Sequence, residues 1–124
     1  MVRFKDTVSF QDMRPQLVFA IMCVDQINTR HYGEFRDTWI TSVCDGAAGR
    51  VAGSLHNYGY AADFSIKGHP NAQEWKDKIA ARLGPEFDVV LHDVGSGDHI
   101  HVEYDIRRVM RQRAGQPTPP PLTT

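Results

Sequence analysis

The chain is expected to fold as α+β, with a small, mostly antiparallel sheet and helices on one side. Three observations predict this. Met13 to Asn28 and Ala72 to Leu83 repeat apolar residues at helical spacing. Short runs rich in strand-forming residues lie between and after them. Two of those runs are joined by a tight turn around Gly95 and Gly97, too short for the crossover that a parallel pair needs. At 124 residues the chain has the size of one domain and buries a core without disulfides.

The first helix carries Leu17, Ala20, Ile21, Val24 and Ile27 on one face, with Asp12 as cap, Pro15 in the first turn and Gly33 at the exit. Thr38 to Val43 reads as a strand, and the Gly- and Ala-rich stretch Asp45 to Gly53 as a loop. A second strand spans Ala61 to Ile66, and Lys67-Gly68-His69-Pro70 breaks it. In the helix from Ala72 to Leu83, Asn71 caps, Glu74 completes a capping box, Trp75, Ile79 and Leu83 face inward, and Gly84-Pro85 stops it. Asp88 to His92 and His99 to Asp105 are the last strands. Trp39, Trp75 and the Leu17 to Ile27 stripe are assigned to the core. Residues 1–112 form the domain, and 113–124 a Pro-rich tail expected to be disordered.

Lys plus Arg is 14 against 15 for Asp plus Glu, which argues against a nucleic-acid binder. No apolar run is long enough for a membrane span, and Met1 to Asp6 lead into no signal-peptide core. Cys23 reads as a buried small hydrophobe, and Cys44 has no second cysteine at metal-site spacing. A monomer is the expected state.

The histidines carry the chemistry. In the last strand, alternation puts Ile100, Val102 and Tyr104 on one face and His99, His101 and Glu103 on the other. The strand before it divides likewise, with Ala62, Phe64 and Ile66 opposite Ala61, Asp63 and Ser65. A mid-strand carboxylate is disfavoured, and a cation would explain it. His56 lies seven residues before Asp63, and the turn at Gly59 brings it back. Two imidazoles and one carboxylate, with a position left to water, make a catalytic zinc site. Asp98, three residues before His101 in the glycine-rich turn, is the better-placed general base, with Glu103 a supporting residue. His31, His69 and His92 have no motif and read as surface residues. The cluster Arg107, Arg108, Arg111 and Arg113 reads as a solvated helical end.

The run from Ser54 to Asp63 reads Ser-x-His-x-x-Gly-x-Ala-x-Asp, and His99-Ile100-His101 supplies a following His-x-His. By composition, the four fixed positions from His56 to Asp63 arise by chance in about one chain in a thousand of this length. The pair resembles the zinc D-alanyl-D-alanine carboxypeptidases and L-alanyl-D-glutamate endopeptidases that cut peptidoglycan peptides, a group that includes the hedgehog-type zinc domain and many phage endolysins. The resemblance spans Trp39 to Asp105. It implies the hedgehog/D-Ala-D-Ala-peptidase-like zinc fold, Zn2+ held by His56, Asp63 and His101, Asp98 as general base, and His99 beside the metal. Ser54 would contact the first ligand or the substrate. The family often has an arginine after the Thr41-Ser42 strand for a substrate carboxylate. Val43-Cys44-Asp45 stands there, so Arg50 is the replacement considered. The implied partner is peptidoglycan peptide. The implied setting is a cytoplasmic product acting on the wall after holin release or from a virion. The competing functions are a non-catalytic zinc-binding virion or interaction module, and a metal-dependent nuclease disfavoured by charge.

Overall fold

The computed structural model describes residues 1–6, 8, 13–33, 36–43, 59–93 and 98–115. The elements are β1 (Val2–Phe4), α1 (Pro15–Tyr32), β2 (Thr38–Ser42), β3 (Ala61–Ser65), α2 (Ala72–Leu83), β4 (Phe87–His92), β5 (His99–Tyr104) and α3 (Ile106–Ala114). The strands form one five-stranded sheet in the order β1-β2-β3-β5-β4. β2, β3, β5 and β4 are joined by antiparallel ladders, but β1 runs parallel to β2. The fold is therefore α+β with a mixed sheet that is mostly antiparallel, as expected, with β1 adding one parallel pair. The parallel edge strand is possible because the whole of α1 lies between β1 and β2 in the chain and returns β2 to the same direction.

The core forms on the face covered by α1 and α2. Leu17, Ala20, Ile21, Val24 and Ile27 of α1 and Trp75 and Ile79 of α2 pack against Ile40, Ala62, Phe64, Ile100 and Val102 of the sheet. Burial alternates strictly along β5, with Ile100, Val102 and Tyr104 inward. Pro15 takes the first helical position of α1, where its missing N–H costs nothing. The helix runs to Tyr32, beyond the expected Asn28, because Asn28 is itself buried and tied down. Its Nδ2 donates to Thr38 Oγ1 at 3.0 Å, and that hydroxyl donates to Asp25 Oδ1 at 2.8 Å, fastening α1 to the start of β2. Asp12, the expected cap, lies outside the described residues.

α2 has the expected bounds. Asn71 Oδ1 accepts from the Glu74 N–H at 3.1 Å, and Gly84 closes the helix at φ +83°, a conformation that favours glycine. α3 is capped by Asp105, whose carboxylate accepts from the Arg108 N–H at 3.0 Å. It ends at Ala114, two residues into the stretch expected as tail.

Two core or surface assignments change. Trp39 precedes the core residue Ile40, so its indole stands on the opposite sheet face, 45% exposed, while Trp75 is buried at 1%. His69 is half-buried rather than free at the surface. Its ring lies flat on Trp75 (centroids 4.5 Å apart, 2° between planes) with Tyr32 edge-on at 4.4 Å. The Asn71 N–H donates to its Nδ1 at 3.1 Å, which needs a neutral ring. Burial, then the charge of Arg36, lowers its pKa to about 4.

Two outcomes follow from this packing. Phe64→Ala empties the centre of the core and is expected to cost about 3–5 kcal/mol, read as a lower urea midpoint. For His69, the unfolded ring protonates near pH 6.5 and the folded one near 4. The unfolded state therefore binds the extra proton between those values, and stability falls as pH drops from 6.5 to 4. His69→Gln should remove part of that slope in melting experiments run across this range.

Candidate functional site

The β3–β5 ladder builds the site. It pairs Ala61 with Glu103, Asp63 with His101 and Ser65 with His99. Because Ala62, Phe64, Ile100 and Val102 face the core, these paired polar residues all stand on the open face. The β4–β5 ladder adds Asp88 beside Glu103 and His92 beside His99. On the other flank, β2 is irregular between Ile40 and Ser42, and Thr41 Oγ1 donates to the Asp63 carbonyl.

His101 lies between two carboxylates. Its Nδ1 is 2.8 Å from Asp63 Oδ1 and its Nε2 2.6 Å from Glu103 Oε1. Burial lowers the pKa of this imidazole, but the hydrogen bonds and charges of Asp63 and Glu103 outweigh it and raise the pKa to about 9. In the metal-free protein at pH 7 the ring is an imidazolium that donates to both. His99 Nε2 lies 3.7 Å from the same Asp63 Oδ1, and its ring centroid is 4.9 Å from that of His92.

A cleft of about 670 Å³ adjoins this cluster, lined by Asp63, Ser65, Asp98 and His99 together with Lys5, Thr41 and Lys67. Asp98 precedes β5, and its Oδ1 is buried without a hydrogen-bond partner. A buried carboxylate oxygen left unpaired is costly, and a functional site is one place where that cost is retained.

A second cluster lies toward the other end of β5. Asp88, Glu103 and Asp105 bring ligand atoms within 4.8 Å of one another and could hold a metal ion. It is the one such group among the described residues, and no histidine belongs to it. Arg108 Nη2 lies 2.8 Å from Asp88 Oδ1, so a protein cation already serves part of this cluster.

The structure thus brings together Asp63, His99 and His101 on one face, as the alternation of the two strands predicts, and Asp98 lines the cleft with Asp63 and His99. His56, Ser54, Arg50 and Cys44 lie outside the described residues. Glu103, expected as a supporting residue, is a hydrogen-bond partner of His101. Lys5, Thr41 and Lys67 escaped the reading from sequence; only the neighbourhood of Thr41 to a site strand hinted at one of them.

No protein-family model, curated protein or solved structure matches this chain. Among the described residues, no helix is long and apolar enough to cross a membrane.

The site makes a measurable statement about protonation. A folded pKa near 9 against about 6.5 unfolded means that His101 contributes stability in full below pH 6.5. That contribution is lost as pH rises through 9. An NMR titration of the metal-free protein should show one imidazole titrating near 9, and Asp63→Asn should move it down.

Proposed function

We propose that this chain is a zinc metallopeptidase that hydrolyses peptide bonds in peptidoglycan stem peptides, of the D-Ala-D-Ala carboxypeptidase or L-Ala-D-Glu endopeptidase type. The phage endolysin setting fits this activity. The observation that carries the reading is the convergence, on one open sheet face, of Asp63, His101 and His99 with Asp98 in the same cleft.

The proposed donors, two imidazoles and a carboxylate, are of the type zinc takes. Asp63 Oδ1 and His101 Nδ1 already lie 2.8 Å apart, and with His56 they would supply the nitrogen and oxygen ligands of a catalytic zinc site. His101 must release its extra proton to act as a ligand, so loading depends on pH. Bound zinc would supply a Lewis acid for the scissile carbonyl and acidify a water molecule.

The protein groups carry the remaining work. Glu103 accepts from His101 Nε2 and fixes the ring, so that Nδ1 is presented toward Asp63. Asp98 Oδ1, with no partner of its own, accepts the proton of the attacking water and returns it to the leaving amine. His99, next to Asp63 on the cleft wall, donates to the oxyanion that forms on the carbonyl. Ser54 and Arg50 are the residues proposed to hold the substrate.

The reading is tested by comparing the wild type with Asp98→Ala. Both should hold about one zinc per chain by elemental analysis. Peptide release from purified peptidoglycan, followed by mass spectrometry, should fall by about 10²–10⁴ in the variant. A wild type that binds zinc and releases nothing from several wall types would leave a non-catalytic zinc-binding module as the answer. Removing the metal with a chelator should abolish release, and added zinc should restore it.

A further inference from the structure

Trp39 is one of several large apolar side chains that the core does not use, and the one tryptophan among them. It stands on the open face of β2 at 45% exposure, on the side of the sheet that carries Ser65 and Asp63. It lines a second groove of about 520 Å³ together with Tyr32, Arg36, Asp37 and Lys67. Lys67 also lines the cleft over Asp63 and His99, so groove and cleft adjoin.

We propose that this groove is a saccharide subsite, in which the indole of Trp39 carries a sugar ring of the glycan to which the stem peptide is attached. The inference rests on the peptidase reading for its substrate, and it assigns the groove to the part of that substrate which is not cleaved. A pyranose has a flat face of C–H groups and a rim of hydroxyls. The indole face is apolar and carries the negative lobe of the ring quadrupole, which suits those C–H groups. The lining has donors in Arg36 and Lys67, and Asp37, whose Oδ2 already accepts from Arg3 Nε, has a second carboxylate oxygen as acceptor, as a hydroxyl-rich neutral ring requires. Arg36 is held in position by the bond its Nη1 donates to the Gly68 carbonyl at 3.0 Å. A carboxylate ligand would suit the two cations but would leave the indole unused. The groove volume lies within the range of about 300–1,000 Å³ typical of small-molecule sites.

The test needs no turnover. Wild-type protein is titrated with the neutral disaccharide N,N′-diacetylchitobiose, two linked N-acetylglucosamine rings without a carboxylate, while tryptophan emission is recorded. Trp75 is buried at 1%, so a saturable change reports on Trp39. Calorimetry should show Trp39→Ala binding the disaccharide at least about tenfold more weakly. Phe19→Ala, on the exposed side of α1, should bind it as the wild type does. The inference is overturned if millimolar disaccharide gives neither emission change nor heat, if Trp39→Ala binds equally well, or if only a carboxylate-bearing peptide elicits the response. The wild-type titration decides the matter even if Trp39→Ala fails to fold. Protein that releases wall peptides but ignores the sugar sinks this inference alone. Protein that binds the sugar and releases nothing sinks the peptidase reading and leaves the subsite standing.

Discussion

The register between β3 and β5 is the constraint on which the rest depends. Side chains alternate along a strand, so one pairing decides both faces at once. Setting Ala62 against Val102 and Phe64 against Ile100 gathers the apolar residues under α1 and α2. The same step forces Asp63, His101, His99 and Glu103 onto the opposite face. A slip of one residue on either strand would drive a carboxylate or an imidazolium into a dry core, at a cost of several kcal/mol. The core therefore selects the register, and the register assembles the site as a by-product. No residue of the site has to contribute to folding for this to hold.

Electrostatics then works on what the register has placed together. The open face carries Asp63, Glu103, Asp88 and Asp105 within three strands and the start of α3. Such a face would repel itself without positive charge among its members. Two protein cations supply it. Protonated His101 bridges Asp63 and Glu103, and Arg108 reaches back from α3 to Asp88. The two cations differ in kind. A guanidinium does not give up its proton, so the Asp88 end keeps its charge at any ordinary pH. An imidazolium can do so, which makes the Asp63 end the part of the face where a proton and a metal ion compete for the same donors.

The legible parts of the sequence were those where a local rule and the global fold agree. α2 has its cap, apolar face and stop signal within a dozen residues, and its bounds fell where expected. The two faces of β3 and β5 were legible for a similar reason, since alternation survives any uncertainty about neighbours. What was not legible depends on partners distant in sequence. β1 is three residues long and owes its existence to β2, against which Arg3 pairs with Trp39. The extension of α1 past Asn28 depends on Thr38. Trp39 by residue type alone suggests the core, since tryptophan is highly buried on average. Its true side was implicit in Ile40 one residue later, which claims the inward position. His69 carries no motif, and only the fold of the β3–α2 turn shows it stacked on Trp75.

The contrast between the two tryptophans shows how the sheet divides its labour. Trp75 is fully enclosed, and its indole N–H donates to the Val24 carbonyl of α1, so both its apolar body and its polar handle are committed to holding the helices together. Trp39 lies on the face that α1 and α2 leave uncovered. An indole 45% exposed forgoes part of the roughly 1.5–3 kcal/mol that fully burying a large side chain contributes. The open face pays that cost alongside the buried, unpaired oxygen of Asp98. Both features lie on or beside the face on which Asp63 and His101 meet, and neither stabilises the fold. Stability is concentrated under the helices, while the uncovered face keeps the groups whose chemistry remains available to a ligand.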